Sequence, residues 1–160
     1  MSSHSRRDDS PSGQALRLPL DEMGRLHDHV VEGYPHEVVG VLAGERASGT
    51  VRALRPLVNE RADQAATRYA VSALALHRAE AALEADGHEI LGYYHSHPDH
   101  PAAWSDTDRD EALPNTVYLI AAVAGPAGPS EATRLVDLRA WRLRDDRSTM
   151  DADHLILTTP

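Results

Sequence analysis

Residues 90–108 read ILGYYHSHPDHPAAWSDTD, an apolar run that leads through two histidines into a proline-containing loop. Side chains two apart on a strand point to the same face, so His95 and His97 are predicted to face one ion. The next stretch, SDTDRDEAL, is typical of the first turns of a helix, on which Ser105 and Asp108 share a face. Two imidazoles and one carboxylate leave a fourth tetrahedral position for water, as in catalytic zinc sites.

A candidate proton carrier lies far upstream, in YPHEVVGVLAGE. Glu37 enters an apolar run, Val38 to Ala43, that is predicted to be a strand. A carboxylate held there and partly desolvated would have a pKa raised toward that of a useful base. Gly40 and Gly44 would allow another backbone or a substrate to approach closely. Without the downstream motif, an ordinary surface glutamate would be the better interpretation of Glu37.

The two stretches together form a long, specific pattern. E-x-x-G-x-L-x-G, followed downstream by HSHP, six residues and S-x-x-D, resembles the JAMM (MPN+/JAB) metallopeptidases at every signature position. The resemblance covers roughly residues 16–144. It implies that Glu37 is the general acid/base and that Ser105 hydrogen-bonds the oxyanion. The zinc ligands that it implies are His95, His97 and Asp108.

The same resemblance implies a fold and a substrate class. The fold is of the α/β (α+β type) class, a strongly curved mixed β-sheet with packed helices, the cytidine-deaminase-like MPN/JAB1 fold. The chain has little room for the insertions that form the ubiquitin groove of eukaryotic members. It looks more like small bacterial members that act after the C-terminal Gly-Gly of a ubiquitin-like sulfur-carrier protein, removing C-terminal residues or releasing cysteine.

Other functions stay open beside this peptidase. Metal-free MPN domains act as scaffolds, although they generally lack the complete ligand set, and a deubiquitinase-like isopeptidase is a further alternative. A RadC-like function associated with DNA repair is disfavoured, because the HNHPSG wording of that branch is absent. The net charge of −9 also disfavours nucleic acid as the main partner.

Length and composition bound the organisation of the chain. A chain of 160 residues is long enough for one domain with a proper core. We expect a disordered tail over residues 1–15, the catalytic domain over 16–144 and a C-terminal tail over 145–160. In that last tail, HLILTT is predicted to add an edge strand or to pack against a partner, and homodimerisation stays open.

The chain has no cysteine, which excludes thiolate ligands and a cysteine nucleophile. No run approaches the ~18 apolar residues of a membrane span. The N-terminus also lacks the apolar stretch of a secretory signal, so a cytoplasmic protein without membrane contact is expected.

Periodicity predicts the remaining elements. LDEMGRLHDHVVEGY has helical spacing, and ALALHRAEAALEADG reads as a helix that closes at Gly87. EVVGVLAGE and TVRALRPLVN are predicted to be consecutive strands, and TRYAVS a third. ILGYYHSH, TVYLIAAVA and TRLVDLRAWRL complete the sheet.

Some residues near the motif allow two interpretations. Ser105 is also a typical helix N-cap with Asp108 as its third-position carboxylate, and this role can coexist with catalysis. Asn59 either hydrogen-bonds near the site or initiates a turn. The remaining nearby polar residues are expected to be loop residues or to face solvent: His36, Asp99, His100, Asp106 and Asp110.

Overall fold

The computed structural model describes residues 15–60 and 71–160. The helices in these ranges are α1 (Leu20–Gly33), α2 (Ala73–Ala85) and α3 (Asp106–Glu111). The strands are β1 (Leu16–Pro19), β2 (Val39–Glu45), β3 (Thr50–Leu57), β4 (Glu89–Pro98), β5 (Val117–Ala124), β6 (Arg134–Leu143), β7 (Met150–Asp153) and β8 (Leu155–Thr158).

Two predictions fall largely outside the described ranges. The expected N-terminal tail lies outside them except for Ala15, and the predicted strand TRYAVS lies outside them except for Val71 and Ser72. Those two residues precede α2 and are not in a strand. Within the ranges that are described, no helix is long and apolar enough to cross a membrane.

The strands of the described chain form one mixed sheet in the order β7-β6-β5-β4-β2-β3-β1-β8. β4 pairs in parallel with β5, and β1 pairs in parallel with both β3 and β8. The other neighbours are antiparallel. A mixed sheet with packed helices confirms the predicted α/β (α+β type) fold class.

The sheet curves until its two edges approach each other. β7 and β8 lie at opposite ends of the strand order, yet His154 alone separates them in sequence. Consecutive Cα atoms are about 3.8 Å apart, so Asp153 and Leu155 are close neighbours. The amide of Leu16 in β1 donates to the carbonyl of His154 at 2.8 Å. Residues 145–160, which the sequence assigns to a C-terminal tail, therefore link both edges of the sheet.

The central strands are buried on both faces. Side chains alternate along β2, so one face packs on α1 and the other on α2. The cluster on the α1 side includes Leu26, Val30 and Leu42. The cluster on the α2 side includes Val41, Ala79 and Leu83. The same alternation in β4 places Tyr94 on the α1 side and His95 and His97 on the α2 side.

Close approach at two glycines agrees with the sequence prediction. A Cβ atom at Gly40 would overlap the ring of Tyr94, and one at Gly44 would overlap the backbone of Thr50. Both glycines therefore allow β2 to lie against its neighbours without a gap.

Candidate active site

Three side chains predicted as metal ligands meet at the end of β4. His95 Nε2 lies 3.0 Å from His97 Nε2 and 3.3 Å from Asp108 Oδ1. His97 Nε2 lies 3.8 Å from Asp108 Oδ2. In residues 15–60 and 71–160, no other set of three or more His, Cys, Asp or Glu side chains brings its ligand atoms within 4.8 Å of one another.

For His97 and Asp108, hydrogen bonds and burial favour the protonation states that metal binding requires. His97 Nδ1 lies 2.8 Å from the carbonyl oxygen of Pro101. Because a carbonyl only accepts, Nδ1 carries the proton and Nε2 presents its lone pair. Burial, followed by the charge of His95, lowers the pKa of His97 and favours the neutral ring. Burial alone would raise the pKa of Asp108, but hydrogen bonds and charge from His95 and hydrogen bonds from Ser105 lower it to about 2.

Helix α3 positions Asp108 through a reciprocal cap. Ser105 precedes the helix, and its Oγ accepts from the amide of Asp108 at 3.1 Å. Asp108 Oδ2 in turn accepts from the amide of Ser105 at 2.7 Å and from its hydroxyl at 2.8 Å. The N-cap interpretation of Ser105 is thus confirmed, and the cap fixes the rotamer of Asp108.

Glu37 lies in the same cleft as the three candidate ligands and is buried, with 8% of its surface exposed. Burial raises its pKa from 4.5 to about 7; the charge of His95 lowers the pKa, and the charge of Asp108 raises it. A carboxyl group with this pKa can both accept and release a proton near neutral pH.

Backbone pairing holds Glu37 next to the strand that carries the histidines. Val39 pairs with His95 in the β2–β4 ladder. One residue earlier, the amide of Val38 donates to Ser96 Oγ at 2.9 Å, and the amide of Ser96 donates to the carbonyl of Val38 at 3.0 Å. The carbonyl of Glu37 itself accepts from Asn59 Nδ2 at 3.0 Å. Asn59 therefore hydrogen-bonds at the site, as one of its two interpretations predicts.

The polar groups line an open cleft of about 920 Å³. Glu37, Ser105 and the three candidate ligands form its polar part. The remaining lining in the described chain is largely apolar and includes Val39, Leu57, Leu76, Tyr93, Leu113 and Tyr118. This volume lies within the range of about 300–1,000 Å³ that is usual for ligand sites.

Most neighbouring polar residues behave as expected. The five polar residues expected to lie in loops or to face solvent are all exposed: His36, Asp99, His100, Asp106 and Asp110. Asp99, however, also accepts hydrogen bonds from the hydroxyl of Tyr34 and the amide of Gly125. Sequence reasoning missed this contact, because Tyr34 and Asp99 are 65 residues apart and no spacing rule links them.

Comparison with known proteins finds a matching family and two relatives with similar sequences. The family described as prokaryotic homologs of the JAB domain matches residues 19–144. A Haloferax volcanii protein named desampylase is 36% identical over 115 residues, which cover 69% of this chain and 82% of the relative. A Thermus thermophilus protein named probable TtuB-protein conjugate cleaving protease is 36% identical over 108 residues, covering 68% and 70% of the two chains.

Solved structures share the architecture. A solution structure of a protein from Desulfitobacterium hafniense has a TM-score of 0.71 at 26% identity, covering 90% of this chain and 93% of the other. One from Salinibacter ruber has a TM-score of 0.66 at 33% identity, covering 90% and 92%. A JAB1/MPN domain protein from Archaeoglobus fulgidus, at a TM-score of 0.54 and 13% identity over 91% and 100% of the two chains, shares the fold. The chain therefore belongs to the JAB family, among its prokaryotic members, as its two motifs predicted.

Proposed function

We propose that the protein is a zinc-dependent peptidase or isopeptidase. It cuts the bond after the C-terminal Gly-Gly of a ubiquitin-like sulfur-carrier protein, removing C-terminal residues or releasing cysteine. The observation that carries the proposal is the meeting of His95, His97 and Asp108 beside the buried carboxyl group of Glu37. The names of the two relatives, a desampylase and a conjugate-cleaving protease, support a ubiquitin-like protein as substrate.

The donor set fits zinc. Ligand atoms about 2.1 Å from a tetrahedral zinc ion lie about 3.4 Å from one another. The separations of 3.0, 3.3 and 3.8 Å between the nearest ligand atoms of His95, His97 and Asp108 bracket that value. Zinc held there would supply a Lewis acid that activates water and polarises the scissile carbonyl. Three protein ligands leave the position that this chemistry needs.

Glu37 carries the proton. In the metal-free protein burial raises its pKa to about 7. Its carboxylate accepts the proton of the attacking water and returns it to the departing amine nitrogen. Its fixed position follows from the bonds that Asn59 and Ser96 make to the backbone around it. One group thus serves both proton transfers without leaving the cleft.

Ser105 stabilises the oxyanion of the tetrahedral intermediate. Its hydroxyl proton points to Asp108 Oδ2 in the ground state, at an O–O distance of 2.8 Å. Rotation about the Cβ–Oγ bond turns that proton to the oxyanion, while Asp108 keeps its hydrogen bond from the amide of Ser105. A donor that moves to the developing charge favours the transition state over the substrate.

The substrate assignment rests on size and shape. The matched residues cover 82% of the Haloferax relative and 70% of the Thermus relative, so this chain shares most of the length of both. A Gly-Gly tail has no side chains to clash with Glu37 or the imidazoles, and the apolar lining suits the larger residues that precede or follow it. A non-catalytic scaffold and a deubiquitinase-like isopeptidase are the alternatives.

Intact-mass spectrometry tests the proposal. A Gly-Gly carrier protein extended at its C-terminus is incubated with zinc-loaded wild-type protein, with Glu37→Gln, and with Glu32→Gln as a control at an exposed glutamate of α1. We expect a mass loss that ends at Gly-Gly with wild type and Glu32→Gln, and none with Glu37→Gln. Turnover by Glu37→Gln contradicts its role as the base, and no cleavage by the zinc-loaded wild type favours the scaffold.

A further inference from the structure

We propose that Tyr34 and Asp99 are positioning residues that join the segment carrying Glu37 to the loop that orients His97. The inference rests on the proposed function, in which both groups act in one reaction. Neither Tyr34 nor Asp99 lines the cleft in the described part of the chain. They act through their neighbours rather than on the substrate.

Asp99 uses both carboxylate oxygens to bridge three segments. Oδ2 accepts from the hydroxyl of Tyr34 at 2.6 Å, and Oδ1 accepts from the amide of Gly125, just past the end of β5, at 3.1 Å. A Cβ atom at residue 125 would overlap the Tyr34 hydroxyl, so glycine leaves the space in which that hydroxyl lies. The space left by Gly125 and the hydrogen bonds of Asp99 thus favour the same position of the Tyr34 side chain.

The backbone of Asp99 is anchored as well. Its φ is 57°, a left-handed conformation that Asp and Asn tolerate better than most residues. Its amide donates to the carbonyl of Val123 at 2.7 Å. The chain therefore turns sharply immediately after Pro98, the last residue of β4.

This turn determines where the acceptor of the His97 proton lies. The carbonyl of Pro101 takes the Nδ1 hydrogen of His97, and the next carbonyl, that of Ala102, accepts from Trp141 Nε1 at 3.0 Å. Only residues 100 and 101 lie between the anchors at Asp99 and Ala102. Displacing Asp99 would move the Pro101 carbonyl and release the tautomer of His97.

At the other end, Tyr34 is tied to the backbone that leads to Glu37. It follows the last residue of α1, and its amide donates to the carbonyl of Val31 at 3.3 Å. Glu37 is only three residues further on, where Asn59 holds its carbonyl. The Tyr34–Asp99 bond therefore adds a second link between the segment of the proton carrier and the ligand loop, beside the pairing of Val38 with Ser96. A hydrogen bond between partly exposed side chains adds little to stability, whereas misplacing reacting groups by about 1 Å costs about 100-fold in rate.

The test uses Tyr34→Phe, Asp99→Asn and the double variant of the full chain. Asn keeps the left-handed turn, but its amide offers one acceptor where the carboxylate offers two. The control is Tyr94→Phe, which also removes one hydroxyl hydrogen bond, at 2.7 Å to His29, on the α1 side of the sheet. Two readouts are measured: kcat and KM on the extended Gly-Gly carrier, and the His97 tautomer in zinc-free protein by ¹⁵N–¹H correlation of the imidazole.

We expect each single variant to lower kcat about 10-fold, with KM within about twofold of wild type. The kcat of the double variant should be no lower than that of the more impaired single variant. His97 should change from one Nδ1-protonated tautomer to a mixture, and Tyr94→Phe should change neither readout. Additive losses in the double variant, or an unchanged tautomer in both single variants, would overturn the proposal. If the wild type cleaves no carrier, the proposed function fails. The His97 tautomer in the variants then tests by itself whether Tyr34 and Asp99 position this loop.

Discussion

Asp108 Oδ2 lies 2.7 Å from the amide nitrogen of Ser105 and 2.8 Å from its hydroxyl, so the carboxylate that completes the proposed ligand triad also caps the helix on which it lies. The helix is only six residues long and has no buried residue of its own. Its start therefore depends on the cap rather than on core packing. Ser105 consequently has a structural role and a proposed chemical role, and experiments must separate the two.

Ser105→Ala should reduce kcat by about 100-fold or more at saturating zinc, because a donor to the oxyanion is lost. It should also cost about 1 kcal/mol of stability through the missing cap. Ser72→Ala is the matched control, since Ser72 caps α2 by accepting from the amide of Ala75 at 3.1 Å. Steady-state kinetics and urea unfolding measure both effects. Equal kcat losses in the two variants would leave Ser105 with the structural role alone.

Asp108→Asn should abolish zinc binding, because the negative charge and a ligand oxygen are lost together. Zinc that binds the folded wild type at 100 times its Kd stabilises it by about 2.7 kcal/mol. We expect zinc to raise the Tm of wild type and of Asp106→Asn, and to leave the Tm of Asp108→Asn unchanged. Asp106 is the control because its side chain is 85% exposed on the same helix. A zinc-induced Tm shift in Asp108→Asn would remove this residue from the ligand set.

Glu37 should make the zinc-free protein less stable as pH rises. Burial raises its pKa to about 7 in the folded protein, against 4.5 for the ordinary group. The folded state thus holds the proton more tightly, and that contribution is fully present below about pH 4.5 and is lost as pH rises through about 7. The loss is at most about 3 kcal/mol.

Glu37→Gln removes this titration and should be more stable than the wild type at pH 8.5 but similar to it at pH 5. Urea unfolding of both zinc-free proteins at the two pH values measures the difference. Glu32→Gln, at an exposed position, should follow the wild type at both. A constant difference between Glu37→Gln and wild type across this range would show that Glu37 is ionised throughout.

Sequence patterns predicted the parts of the site that depend on local spacing. The i, i+2 relation of His95 and His97 and the i, i+3 relation of Ser105 and Asp108 are properties of a strand and a helix start. Bringing Glu37 to the same cleft required the family motif, because spacing says nothing about which distant strands pair. HLILTT carries a local strand signal, but the closure of the sheet by residues 150–158 and the Tyr34–Asp99 contact depend on long-range geometry. Periodicity alone therefore could not predict them.

Closure of the sheet predicts that the C-terminal segment is needed for stability. β8 pairs with all four residues of β1, and Leu155 packs against the main core cluster. Removing residues 155–160 would expose the edge of β1 and leave apolar surface uncovered. We expect a loss of about 3 kcal/mol, a Tm lowered by about 6–12 °C, and a greater tendency to associate.

Removing only Thr159 and Pro160, which lie beyond β8, is the matched control and should leave the Tm unchanged. Thermal unfolding by circular dichroism and light scattering compare the two truncations. The family match ends at residue 144, so a segment outside it would then be necessary for the fold of this chain. If the protein without residues 155–160 kept the wild-type Tm and stayed monodisperse, β1 would tolerate an open edge and β8 would not be needed for stability.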